Sequence, residues 1–248
     1  MKNYKLEIEY DGSRYQGWQR LGKGESGNTI SNKLLEVIEK MTDEKAELFC
    51  GARTEVGVHA HLQVANFKTS KNLTPLEVKR YLNRYLPMDI AVLSAELVPE
   101  RFHAALNAVS RTYLYRISTA DVPNVFERKY TYYNFRRLDL DSMKKAALLL
   151  VGKHDFKNFS TAKRAKSSER DIKDIDIYDD GDEIQITITA NDFLHNMARL
   201  IIGTLIDIGN GNRKADTIDS IFFGSESPAA PCDAKGLYLE SVAYPKES

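Results

Sequence analysis

Tyr4-Lys5-Leu6-Glu7-Ile8-Glu9-Tyr10 alternates apolar and charged side chains, the pattern of a strand with one buried face. The next stretch, from Asp11 to Gly27, is rich in glycine, serine and polar residues and reads as a long loop. It holds the only tryptophan, Trp18. Ile30, Leu34, Ile38 and Met41 then recur at helical spacing, with Asn28 or Thr29 available as N-cap. Ala46 to Cys50 and Leu62 to Phe67 have strand character, joined by the short segment Gly51 to Ala60. Thr74-Pro75-Leu76-Glu77 combines a capping box with proline at the first helical position, so a helix starts there. A further strand runs from Ile90 to Val98. The predicted order is β-α-β-β-α-β, the ferredoxin-like arrangement.

The second half repeats the theme with longer insertions. Arg111 to Thr119 and Lys129 to Asn134 are predicted strands, Asp141 caps a helix through Val151, and a polar, basic loop runs from Ser160 to Arg170. Asp171 to Tyr178 and Glu183 to Ala190 make a hairpin around Asp179-Asp180-Gly181-Asp182. A long helix from Asp192 to Gly209, a shorter one near Ala215 to Phe223 and a strand from Leu237 to Val242 follow. No low-complexity linker interrupts the chain. The expected fold is therefore α+β, with two ferredoxin-like halves, residues 1–104 and 105–248. They share one continuous antiparallel sheet with helices on one face and a central basic cleft.

The 248 residues, 42% of them hydrophobic and 28% charged, suit a folded chain with a sizeable core and argue against disorder. The longest apolar run, Ala146 to Val151, is far short of the roughly 20 residues of a membrane helix. The first residues lack the apolar stretch of a secretory signal. Cys50 and Cys232 are too few for a disulfide framework or a Cys-based zinc site. A reducing, cytoplasmic setting is expected. Net charge is zero, yet Pro99 to Lys173 carries sixteen Lys and Arg against eight Asp and Glu, leaving the remainder at −8. The basic residues are densest at Arg128-Lys129, Arg136-Arg137 and Lys163-Arg164-Ala165-Lys166. Such segregation suits a polyanion partner; solvated surface loops are the alternative.

Three places break the expected pattern and are candidates for chemistry. In Gly51-Ala52-Arg53-Thr54-Glu55-Val56-Gly57-Val58-His59-Ala60, two glycines bracket a turn that sets a carboxylate beside a guanidinium between two strands. Glu55 there can serve as nucleophile or general base, or merely form a surface pair with Arg53. Arg199 lies in the apolar helix around Phe193 to Gly203, so it either snorkels to solvent or meets a buried acid, for which Glu55 is a candidate. Gly203 would let a backbone or ligand approach that face. Ser110-Arg111-Thr112-Tyr113-Leu114-Tyr115-Arg116 alternates rings and cations along a strand, either to stack on unpaired bases or simply as core. His59 and His61 have no third ligand nearby, no phosphate loop or Ser-His-Asp set is present, and neither metal nor cofactor is expected.

In order along nearly the whole chain, these segments resemble the tRNA pseudouridine synthase A family. The matching stretches are Tyr10-Asp11-Gly12, Gly17-Trp18-Gln19, Arg53-Thr54-Glu55 with Gly57-Val58-His59-Ala60, Gln63-Val64-Ala65 and Leu86-Pro87 with Asp89-Ile90-Ala91-Val92. Phe102-His103-Ala104, Ser110 to Tyr115, Gly152 with His154-Asp155-Phe156, Phe193 to Gly203 and Gly236-Leu237-Tyr238-Leu239 continue the series. The resemblance implies a homodimeric isomerase, without metal or cofactor, that converts uridine to pseudouridine in the anticodon stem-loop of tRNA. It implies Glu55 at the position of the nucleophilic aspartate, Arg53 holding the flipped-out site open, Tyr113 packing on the uracil and Arg199 in an ion pair that orients the carboxylate. RNA contacts are expected from Arg14, Trp18, Gln19, His59, Gln63, Arg111, Lys163, Arg164 and Lys166. The chain departs from the family's Arg-Thr-Asp at Glu55, and has Ala52 where glycine is usual. Two readings stand: a working synthase fitted to glutamate, or a paralogue that binds tRNA or another structured RNA and isomerises slowly or not at all.

Overall fold

The structure, a computed structural model, describes residues 1–19, 27–162 and 167–245. The chain forms two compact units, Met1–Val109 joined by the segment from Tyr238 onward, and Ser110–Leu237.

The first unit runs β1 (Lys2–Tyr10), α1 (Ile30–Thr42), β2 (Leu48–Cys50), β3 (His59–Thr69), α2 (Pro75–Tyr85) and β4 (Ile90–Val98), as the periodicity predicts. In β1 the alternation holds: Tyr4, Leu6, Ile8 and Tyr10 are buried, while Glu9 is exposed. β1 lies between β4 and β3, antiparallel to both, and β2 pairs with the far side of β3, giving the order β4-β1-β3-β2. The β1–β3 register slips between Ile8 and Tyr10, an irregularity at the end of the sheet that leads into the loop described below. Thr29 is the N-cap of α1, accepting from the Asn32 N–H. Ile30, Leu34 and Ile38 are buried as expected, but Val37 replaces Met41 in the core. Thr74 and Glu77 form the reciprocal capping box, with Pro75 opening the helix. A buried pair, Asn66 donating to the Asn3 side chain at 2.9 Å, pins the backbone of Pro99, Phe102 and Ala104 onto this sheet.

The second unit contains β5 (Ser110–Ser118), β6 (Tyr132–Tyr133), α3 (Leu140–Leu150), β7 (Gly152–Asp155), β8 (Glu169–Asp179), β9 (Glu183–Ala190), α4 (Met197–Gly209) and α5 (Thr217–Phe223). Its strands lie in the order β5-β9-β8-β7, antiparallel throughout, with β6 a two-residue parallel addition to β5. Three expectations are corrected and one strand is added. The Lys129 to Asn134 strand shrinks to two residues, because Tyr130 and Thr131 fold back in turns onto Glu127. The α3 cap is Asp139, which accepts from the Ser142 N–H. The long helix starts at Met197, since Asn196 is left-handed at φ 59° and breaks the run from Asp192. β7 was not predicted; Gly152 at φ 105° turns the chain sharply from α3 into it.

The last strand, β10 (Leu237–Ala243), brings the chain back to the first unit, where Tyr238 and Leu239 pair in parallel with His59 and Ala60. Among the described residues, no helix is long and apolar enough to cross a membrane. No group of three His, Cys, Asp or Glu there could hold a metal ion. Cys50 and Cys232 are both buried thiols, one in each unit.

Removing the α2 cap tests the role of Thr74. Thr74→Ala should cost about 1 kcal/mol and lower the midpoint of thermal unfolding by roughly 2–4 °C. An unchanged midpoint by circular dichroism would show that α2 is held by its packing alone.

Candidate active site

The turn between β2 and β3 is held at several points along its backbone. At its base, the buried Gln63 side chain donates to the Ala52 carbonyl at 2.7 Å and accepts from the Ala52 N–H at 3.2 Å. In the middle, Thr54 is turned inward: its hydroxyl lies 2.8 Å from the buried Tyr10 hydroxyl, and its carbonyl accepts from the Trp18 N–H at 3.0 Å. Burial pushes the Tyr10 hydroxyl well above its ordinary range, opposed by its hydrogen bonds, so it stays protonated. At the far end the Val58 N–H returns to the Glu55 carbonyl at 3.2 Å, across a turn whose third residue, Gly57, has φ 77°. With Thr54 facing in, its neighbours face out. Arg53 is exposed and Glu55 is half-buried.

Two glycines let the loop after β1 lie against this turn. A Cβ on Gly17 would sit 2.7 Å from the Thr54 carbonyl oxygen, and one on Gly12 would sit 2.0 Å from the Val58 carbonyl oxygen. The loop is also tied to α1, whose Ile30 and Ser31 N–H groups donate to the carbonyls of Gly17 and Trp18. Asp89 anchors its other end, accepting from the Arg14 guanidinium and, at 2.6 Å, from the Tyr15 hydroxyl. Burial and that carboxylate push the Tyr15 hydroxyl up to about 12. The Gly12 N–H donates to His59 Nδ1 at 3.1 Å, and the Asp11 carboxylate stands 3.2 Å from the same nitrogen. His59 also stacks on Tyr238 with centroids 4.9 Å apart.

These contacts revise several expected RNA contacts. Trp18, His59 and Gln63 are 1%, 2% and 0% exposed, so they support the turn from inside rather than offer a surface. Arg14 stays at the surface and Gln19 is half-buried. Lys163, Arg164 and Lys166 lie outside the described residues.

In the second unit, Tyr113 on β5 is buried and meets the Phe193 ring edge-on at 4.9 Å. Arg111, two residues before it, is also buried. Its guanidinium donates to the Asn191 carbonyl at 2.6 Å and stands 3.7 Å from Asp192, so it too is committed within the protein.

Arg199 is half-buried in the first turn of α4. Its Nε donates to the Cys232 carbonyl at 2.9 Å, its Nη1 donates to Asn196 Oδ1 at 3.2 Å, and the Cys232 N–H donates back to the Arg199 carbonyl at 3.0 Å. The segment around Cys232 comes so close that a Cβ on Gly203 would lie 2.2 Å from the Ala230 carbonyl oxygen. The approach expected at Gly203 is thus made by the chain itself. Thr204 extends the clasp, accepting from the Ala229 N–H at 3.1 Å. Sequence reasoning missed Asn196 and Cys232 as partners of Arg199. The available signals were an Asn just before an apolar helix and the proline-bracketed Pro228-Ala229-Ala230-Pro231.

A family model for tRNA pseudouridine synthase matches residues 7–107 and 146–245. The chain belongs to the tRNA pseudouridine synthase family. A tRNA pseudouridine synthase A of Bacillus sp. (strain KSM-64) is 47% identical over 246 residues, spanning 98% of this chain and all of that protein. A tRNA pseudouridine synthase A 2 of Bacillus anthracis is 44% identical over 247 residues, with the same shares covered. One from Clostridium perfringens is 43% identical over 247 residues. The tRNA pseudouridine synthase match takes in the clamped turn with Glu55 and the helix with Arg199, whereas Arg111 and Tyr113 fall between its two blocks.

Gly17→Ala tests the close approach. The substitution forces a Cβ against the Thr54 carbonyl at a positive φ, and should destabilise the protein by about 1–3 kcal/mol. Urea unfolding would detect it. Wild-type stability would mean that the turn and the loop can separate without cost.

Proposed function

We propose that the protein isomerises uridine to pseudouridine in tRNA, in the anticodon stem-loop, in the cytoplasm and as a homodimer. The reaction breaks the C1′–N1 bond, turns the uracil and joins C1′ to C5; C5 gives up its hydrogen and N1 gains one. Substrate and product have the same atoms, so no redox partner or energy donor enters the balance. A base reached in this way must leave its stack for a pocket with a ring to pack on.

Family membership supports the reaction class, and one geometric observation supports the residues. Glu55 is presented by a backbone held at Ala52, Thr54 and Val58, the preorganisation that attack at a defined carbon demands. Glu55 is the nucleophile in this reading, and the exposed Arg53 beside it holds open the space of the extruded nucleotide. Tyr113 packs against the uracil, and Arg199 supplies the cation of the catalytic set. Arg14 and Gln19 meet the RNA backbone, joined by the basic residues Lys163, Arg164 and Lys166. Each half is read as ferredoxin-like, with the division near residue 104. The order β4-β1-β3-β2 supports that reading for the first.

A second reading is favoured by Glu55 itself. A glutamate sets its carboxylate roughly 1 Å further from the backbone than an aspartate, and a displacement of that size can cost about a hundredfold in rate. A protein so altered would bind structured RNA without modifying it.

Pseudouridine mapping by carbodiimide modification and primer extension separates the two. Wild-type protein should produce new stops in the anticodon stem-loop, and Glu55→Gln should abolish them with RNA affinity nearly unchanged. Stops only with Glu55→Asp would establish the binding-only reading; full activity in Glu55→Gln would remove Glu55 from the reaction. RNA affinity should also fall steeply with added salt, as release of counterions from neutralised phosphates requires. An affinity independent of salt would contradict phosphate contacts.

A further inference from the structure

The helix that carries Arg199 begins in an unusual way. Asn196 adopts φ 59° and ψ 8°, a conformation that nearly every residue except glycine, asparagine and aspartate avoids. Asparagine before a helix ordinarily caps it, yet this side chain makes no capping bond. Its amide points elsewhere. Oδ1 accepts from Arg199 Nη1 at 3.2 Å, and Nδ2 donates to Thr161 Oγ1 at 2.9 Å. Thr161 is itself fixed to the residue before, with its N–H on the His195 carbonyl at 3.2 Å and its hydroxyl 2.6 Å from His195 Nδ1.

We propose that Asn196 is a positioning residue for the Arg199 guanidinium, a role that rests on the part given to Arg199 above. The argument is geometric. One hydrogen bond, from Nε to the Cys232 carbonyl, leaves the guanidinium free to swing about that contact. A second, from Nη1 to Asn196, fixes its plane, so that Nη2 faces a single direction. Arg199 settles which way round the amide lies: a guanidinium can only donate, so Oδ1 must face it, which leaves Nδ2 for the Thr161 hydroxyl. A reversed amide would set donor against donor. Asparagine alone supplies a backbone at ease in the left-handed region together with a neutral side chain that accepts on one edge and donates on the other. Aspartate would accept from Arg199 but would neutralise its charge and lose the bond given to Thr161.

Asn196→Gly is the discriminating variant, because glycine suits this backbone and only the amide is lost. The full-length protein is compared with wild type in two measurements. The first is the side-chain Nε–H resonance of Arg199 by NMR, assigned with Arg199→Lys. The second is the rate of pseudouridine formation on tRNA. In Asn196→Gly the Nε–H resonance should shift and its exchange with water should quicken. The kcat should fall about tenfold to a hundredfold, with KM for tRNA and the unfolding midpoint little changed. An unaltered Nε–H resonance overturns the proposal whatever the activity does, and so does an altered resonance with wild-type kcat. Inactive wild-type protein would instead overturn the isomerase reading, leaving the resonance to decide the positioning role.

Discussion

There is no room for a side chain at residues 12 and 17. The loop after β1 touches the Glu55 turn backbone to backbone, at Val58 and Thr54 respectively, and the arrangement of the first unit's site depends on that approach. It lets the Trp18 N–H reach the Thr54 carbonyl, and it lets the Gly12 N–H reach the His59 ring. It also joins the turn to α1, whose first N–H groups end on Gly17 and Trp18. The carboxylate is therefore located by main-chain geometry. A single methyl at either glycine would displace it.

Arg199 answers the same demand by other means. A cation in an apolar helix needs acceptors, and here they are a main-chain carbonyl and a neutral amide. Neither partner cancels the charge. The guanidinium is held in place by two acceptors that carry no net charge. The bare surface at Gly203 is the condition for this, because it admits the carbonyl of Ala230 and with it the segment leading to Cys232.

Elements with a strong local signature were legible in the sequence. The alternation of Tyr4 to Tyr10 and the Thr74-Pro75-Leu76-Glu77 box each depend on near neighbours, and each appears as read. The start of α4 was misplaced because a composition of helix formers does not reveal one left-handed residue at Asn196. β7 is not legible because four residues, none of them buried, carry little hydrophobic signal. At the site, the Arg53-Thr54-Glu55 turn stood out through its bracketing glycines. The burial of Gln63 and His59 could not be read, since polar residues on a strand give no sign that their hydrogen bonds are satisfied within the fold. Their roles in holding the turn follow only from Ala52 and Gly12 being their partners.

The path of the chain has a consequence for the order of assembly. It leaves the first unit after Val109 and returns to it only at Tyr238. During synthesis β1 to β4 emerge first, and the whole second unit follows before the strand that covers the edge of β3 at His59 and Ala60. That edge adjoins the turn bearing Glu55, and the Tyr238 ring stacks on His59 there. A chain without β10 thus exposes an open strand edge and lacks the Tyr238 ring against His59. Completion of the loop's surroundings is tied to the synthesis of β10, which follows the whole second unit.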